Sequence, residues 1–393
     1  MRTLWLADHL LVSERGHHLS YNGFIADAAR RAGLGARILC ARDCDVEVPG
    51  GFRTNRIFRR DWRNDPPRLL CRSRLALDIL EGLARRRFRT DLLKESPLAD
   101  AGCDDIILAE MLAPRNLAGW LCWLAAVPKG REPTLVLHLG YAAERFGADR
   151  EIPALLRALK QSGKLSRSRF VTDSDVLREN YQGILQEDVF VLPHVVSRRA
   201  GECHKPPGKP VHFACLGNAR EEKGFPEILA AVDILNANGE PPDARFTLQS
   251  SDPDARSAAA LAAFRSARAE SVSLVAKPLD DESYLQLLKN ADVLLLPYHL
   301  DKYTDRTSGV FCEALSSGKP VVATAGSFPG REVDAQGTGW LVRDRDPDSM
   351  ARAIRLATSE LEAVAARSTD LMPRYRRMFH PDTFVSQLLA SAN

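Results

Sequence analysis

Two stretches of the chain hold residues whose types and spacing suit phosphate and ribose. In "FACLGNAREEKGFPEIL", residues 213–229, an apolar run ends at Gly217 and a helical pattern follows. Gly217 lets the backbone leave a strand tightly. Arg220 and Lys223 stand just before the helix, whose first backbone N–H groups lack intrahelical partners. Two cations beside a helix start make an anion site, most simply for phosphate. The bland reading of the same residues is a solvated basic turn beside Glu221 and Glu222.

The second stretch is "RTSGVFCEALSSGKPVVAT", residues 306–324. Ser308 suits a helix cap, and Gly309 admits close approach of a ligand to the backbone. Val310, Phe311, Ala314 and Leu315 form an apolar face, and Glu313 falls off it. A carboxylate there can accept both hydroxyl protons of a ribose, as the acidic residue of dinucleotide-binding folds does. The alternative is an ordinary surface glutamate.

Both stretches need strand–loop–helix units to hold them, and the hydrophobic pattern supplies these. "TLWLA" reads as a strand, "SYNGFIADAARRAG" as a helix stopping at Gly33, and "ARILCA" as the next strand. Such a βαβ opening predicts a parallel sheet. "DDIILAE", "TLVLHLG", "RFVTDS" and "VFVLP" continue it. At 198–210, "RRAGECHKPPGKP" is charged, rich in Pro and Gly, and aperiodic, which marks a domain boundary. The alternation restarts at "VHFACLG" and runs to "KPVVAT". The predicted fold class is α/β, with two Rossmann-like parallel-sheet domains facing a cleft. Residues 1–197 form the first, 198–210 a linker and 211–370 the second. Ligands of open parallel sheets bind at the carboxyl ends of the strands, which makes the cleft the natural site.

Composition agrees with this division. The chain has 393 residues, 45% hydrophobic and 27% charged, which is too long for one ordinary core. A net charge of +3 with both signs interspersed argues for no nucleic-acid partner. Eight cysteines without a CxxC pair read as reduced, mostly buried thiols of a cytoplasmic protein. "MRTLWLADHLL" is a first buried strand rather than a signal peptide, because Asp8 interrupts it and no small-residue cleavage site follows. The longest apolar run, "NLAGWLCWLAAVP", is roughly half a membrane span. Of the several DxD patterns, Asp173–Asp175 alone follows an apolar run, and there it fits a strand end and helix cap better than a metal site. Residues 52–94 carry thirteen Lys/Arg and five Asp/Glu with interleaved apolar side chains. They read either as a face for an anionic membrane surface or anionic acceptor, or as a solvated helical excursion.

"GNAREEKGFPEIL", "ADVLLLPY" and "SGVFCEALSSGKPVVAT", in that order and spacing, resemble the C-terminal domain of retaining glycosyltransferases of the GT-B fold, closest to family 4. "GHHLSYNGFIADAARRAGLGARIL", "FVTDSDVLRENY" and "VFVLPHVV" are similar to that family's first domain, more loosely. "YRRMFHPDTFVSQLLA" resembles its C-terminal helix, here 371–393, which crosses back to the first domain. The resemblance implies that Lys223, with Arg220, contacts the donor diphosphate. It implies that Glu313 binds ribose and that Thr307, Ser308 and Gly309 form the loop meeting the distal phosphate. Gly217 ends the strand beneath them. His138 matches the histidine near the transferred sugar, and Gly16 and His17 lie on the first-domain loop. Two positions depart from the pattern. The family's first glutamate is Asp305 here, and the arginine after the strand glycine is Asn218.

The resemblance thus implies a cytoplasmic enzyme, peripheral to the membrane if 52–94 docks there. It moves a sugar from a nucleoside-diphosphate sugar to a sugar, lipid-linked or small-molecule acceptor. Retention, no metal and no further cofactor are implied with it. Two rivals stand beside this reading: a GT-B sugar-nucleotide epimerase, which converts donor without acceptor, and a non-catalytic nucleotide-sugar-binding protein.

Overall fold

A computed structural model describes residues 2–13, 18–48, 50–59, 74–94, 97–147, 149–237 and 243–392. The chain divides into two compact units, 1–195 with 381–393, and 196–380. Each is built on one parallel sheet.

In the first unit the strands are β1 (Thr3–Ala7), β2 (Gly35–Ala41), β3 (Arg53–Phe58), β4 (Ile106–Ala109), β5 (Thr134–His138), β6 (Ser168–Thr172) and β7 (Val189–Val191). They lie in the order β3-β2-β1-β4-β5-β6-β7. Leu4, Leu6, Ile106, Leu108 and Val136 pack on one face, and Trp5, Ile107, Leu135 and Leu137 on the other. Burial on both faces is why these strands read as continuous apolar runs rather than alternating ones. The edge strand β3 departs from the expectation for 52–94. "RTNRIF" pairs with β2, and the helix begins at Arg74. A sheet edge tolerates this charged sequence because half of it faces water.

The second unit has β8 (Val211–Cys215), β9 (Ala244–Gln249), β10 (Val272–Val275), β11 (Val293–Leu296), β12 (Val321–Thr324) and β13 (Gly339–Val342). Their order is β10-β9-β8-β11-β12-β13. Both sheets therefore reverse their order beside their first strand, between β1 and β4 and between β8 and β11. Open α/β sheets bind ligands at the carboxyl side of that reversal.

The division between units differs from the expected linker at 198–210. Ala200 and Cys203 are buried in the second unit's core, and Ser317 Oγ donates to Ala200 O at 2.7 Å. The helix expected from 371 also begins elsewhere. Pro347–Met378 is one continuous helix of the second unit, closed by Tyr375 and Phe379 in the core. The final helix, Pro381–Ala392, belongs to the first unit, where Phe384, Val385 and Leu388 join the core beneath the helix His18–Arg31. Arg31 Nε donates to Asp382 Oδ1 at 3.0 Å across that contact.

Candidate functional site

In the second unit, β8 leads out through Gly217, whose φ of +94° lies in the left-handed region. Its N–H donates to Gln249 Oε1 at 2.7 Å, which ties the turn to the end of β9. The chain then makes a single 3-10 turn, Glu221–Lys223, and reverses at Gly224. A Cβ on Gly224 would stand 2.1 Å from Pro297 O, so only glycine passes this close to β11. The turn carries Lys223 back over Gly217, where a Cβ would stand 2.9 Å from the lysine Nζ.

Burial pushes the Lys223 ammonium below the usual lysine range, and the positive charges of Arg220 and Arg306 act the same way. Arg306 leans over the Tyr303 ring, 5.4 Å from its centroid. Among the described residues none of these cations has a carboxylate partner within salt-bridge distance, although Asp and Glu are abundant nearby. Glu222 offsets part of the charge on Lys223. Cations held close without a direct ion pair are costly to the fold, and an anionic ligand lowers that cost.

The helix Phe225–Ala237 adds less than its sequence suggests. Its first turn already holds the buried Glu227 carboxylate, which lies 3.3 Å from His299 Nε2. The helix Gly309–Ser316 offers a second start. Ser308 is its N-cap, accepting from Phe311 N at 3.4 Å, with Tyr298 Oη 3.1 Å from the same hydroxyl oxygen. Asp305, Thr307 and Gly309 lie on or beside the half-buried segment leading into that helix.

Glu313 is half-buried rather than facing solvent, and its Oε2 accepts from Tyr284 O–H. Burial pushes its pKa up to about 7, although the tyrosine hydrogen bond works against that rise. Tyr284 comes from the helix Asp281–Asn290, and the sequence carries no local sign of it. Arg306 was equally hidden. It gains meaning only when the turn at Lys223 is folded beside it.

In the first unit His138 ends β5, with its Nε2 2.7 Å from Asp173 Oδ1 at the end of β6. The expected helix cap at Asp173–Asp175 falls to Ser174, whose side chain accepts from Leu177 N. Beside this pair stand Asp8 after β1, Glu110 after β4, and His194 after β7. Gly16 and His17 lie outside the described residues. Five of the seven described cysteines, Cys40, Cys44, Cys203, Cys215 and Cys312, are buried.

Residues 210–359, all within the second unit, match the family described as glycosyl transferases group 1. No curated protein matches the sequence significantly. Solved structures similar over nearly the whole chain include the trehalose-6-phosphate protein of E. coli bound with UDP-2-fluoro glucose. It is 14% identical with a TM-score of 0.68, covering 99% of this chain and 98% of that one. HepE of Anabaena, in complex with UDP and glucose, is 14% identical with a TM-score of 0.63, covering 100% and 99%. Sucrose-phosphate synthase of Thermosynechococcus elongatus is 16% identical with a TM-score of 0.62, covering 100% and 98%. The chain has the two-unit GT-B fold, and the match to group 1 glycosyl transferases covers residues 210–359 of its second unit.

Proposed function

We propose that this GT-B glycosyltransferase moves a sugar from a nucleoside-diphosphate sugar to an acceptor hydroxyl, with retention and without a bound metal. The observation that carries this reading is Lys223, without a carboxylate partner within salt-bridge distance, set over the bare Cα of Gly217, with Arg220 and Arg306 near enough for their charges to act on it. As the anomeric carbon parts from the diphosphate, negative charge grows on the leaving group. Fixed cations stabilise that charge without reorganising. One cation about 4 Å from a phosphate oxygen contributes roughly 4 kcal/mol at an effective dielectric near 20. Arg306 supplies the charge that Asn218 lacks. The start of the helix after Ser308, with Gly309, takes the distal phosphate, and Glu313 takes the ribose. Asp305 addresses a sugar hydroxyl and His138 the transferred sugar. In this reading the leaving diphosphate accepts the acceptor's proton on the same face, which retains the configuration.

The test is a thermal-shift screen with nucleoside diphosphates and their sugars. A ligand at about 100 times its dissociation constant adds about 2.7 kcal/mol of stability. No shift with any of them sinks the assignment. Donor conversion without acceptor would turn it toward an epimerase, and binding without turnover toward a nucleotide-sugar-binding protein.

Peripheral membrane contact belongs to the same proposal. The helix Arg74–Lys94 exposes Ile79 at 56%, Leu83 at 44% and Leu93 at 49%, beside exposed Arg86, Arg87 and Lys94. Apolar side chains among cations suit an anionic lipid surface. No described helix is long and apolar enough to cross a membrane.

A further inference from the structure

Glu110 is the residue after β4. It is 1% exposed, and its Oε1 is sealed from solvent without a hydrogen-bond partner. A buried carboxyl oxygen left unpaired is rare, because nothing offsets the loss of its hydration. The strand order places Glu110 beside the end of β1, at the reversal where doubly wound sheets bind ligands.

Its neighbours are committed elsewhere. Asp8 accepts from Leu10 N at 2.9 Å and Asn22 Nδ2 at 2.7 Å, and lies 2.8 Å from His18 Nδ1. Asp173 holds His138. The His194 ring lies against Tyr21, 5.2 Å between centroids. Among the described residues the Glu110 carboxyl makes no hydrogen bond.

The sign of the local charge is equally specific. After burial, the groups that oppose ionisation of Glu110 are Asp8 and Asp173. Among the described residues the charged groups bearing on His194 include Asp173, His138 and His18. No described lysine or arginine acts on either. The second unit gathers cations at the same place in its sheet, and this unit gathers carboxyl groups and histidines.

We propose that the cluster of Asp8, Glu110 and Asp173 is a binding site for the hydrogen-bond donors of the acceptor. These are the hydroxyls of an uncharged sugar or polyol, or the ammonium of an amino sugar, and an acceptor bearing phosphate at this point is refused. The glycosyl-transfer reading is needed only to identify the ligand as the acceptor. A protonated Glu110 donates to one hydroxyl and accepts from another. An ammonium leaves Glu110 ionised and pairs with it. A phosphate meets the carboxylates, and among the described residues no lysine or arginine is there to offset them.

The full chain is titrated with glucose, glucosamine and glucose 6-phosphate, with and without a saturating nucleoside diphosphate, and binding is followed by ligand-observed NMR. Glucose or glucosamine is expected to bind and glucose 6-phosphate to fail. Glu110→Leu should weaken the binding about tenfold, as a lost hydrogen bond to a buried group does. Glu110→Gln keeps the volume but cannot ionise. It should retain glucose and lose glucosamine, which separates the two sources. Glucose 6-phosphate binding as tightly as glucose overturns the proposal. So does the absence of any probe whose binding responds to either substitution, including no binding at all. Nucleotide binding is scored separately: its failure in the unaltered chain removes the donor assignment and leaves the sugar titration standing.

Discussion

Lys223 Nζ occupies the space a side chain on Gly217 would need, 2.9 Å from where its Cβ would stand. Gly217→Ala should therefore act through the lysine. The methyl group displaces the ammonium, and the left-handed backbone adds about 1–2 kcal/mol of strain. Nucleoside-diphosphate affinity should fall about as far in Gly217→Ala as in Lys223→Ala. The double variant should lose no more affinity than either alone. Additive losses by calorimetry would show that the two residues act independently.

Arg306 should matter as much as Arg220. Arg306→Ala is expected to weaken nucleoside-diphosphate binding roughly tenfold, about 1.4 kcal/mol. Binding of the bare nucleoside should be unaffected, and the salt dependence of diphosphate binding should diminish. Equal losses for nucleoside and diphosphate would place Arg306 away from the phosphates.

The sheets were legible because strands buried on both faces need apolar runs, and "IILA" and "VLLL" show nothing else. Strand β3 was not legible, since an edge strand need not be apolar. The boundary at 198–210 misled because Pro and Gly there resemble a linker, while Ala200 and Cys203 are anchored by distant partners. Gly217, Lys223, Ser308 and Glu313 stood out through local spacing. Tyr284, Arg306 and the Glu110 cluster did not, because their meaning lies in contacts between residues far apart in sequence. Glu110 and Asp8 meet only because β4 lies beside β1.

The exposed face of the helix Arg74–Lys94 predicts binding to vesicles of phosphatidylglycerol and little to phosphatidylcholine. Each cation near an anionic surface adds about 1 kcal/mol. Arg86→Glu with Arg87→Glu should abolish sedimentation with the vesicles and leave the thermal midpoint nearly unchanged, since neither arginine has a described ion pair. Leu83→Asp should weaken sedimentation through the apolar contribution. Sedimentation unchanged in both variants would mean that this face meets water only.

Glu313 gives the site a pH signature. Burial raises its pKa from the ordinary 4.5 to about 7 in the folded chain. The unfolded chain therefore releases this proton first, and the contribution to stability falls as pH rises from about 4.5 to about 7. Glu313→Gln should flatten that part of the stability profile. Nucleotide binding should run the other way. Ribose hydroxyls donate to the carboxylate and favour its ionised form, so affinity should rise with pH until Glu313 is ionised in the free protein. The ligand's terminal phosphate also titrates, so the Glu313→Gln profile serves as the baseline. Calorimetry in two buffers of different ionisation enthalpy should detect proton release near pH 7 in the native chain and less in the variant. Identical profiles in the two proteins would remove Glu313 from the ribose and leave it as the partner of Tyr284.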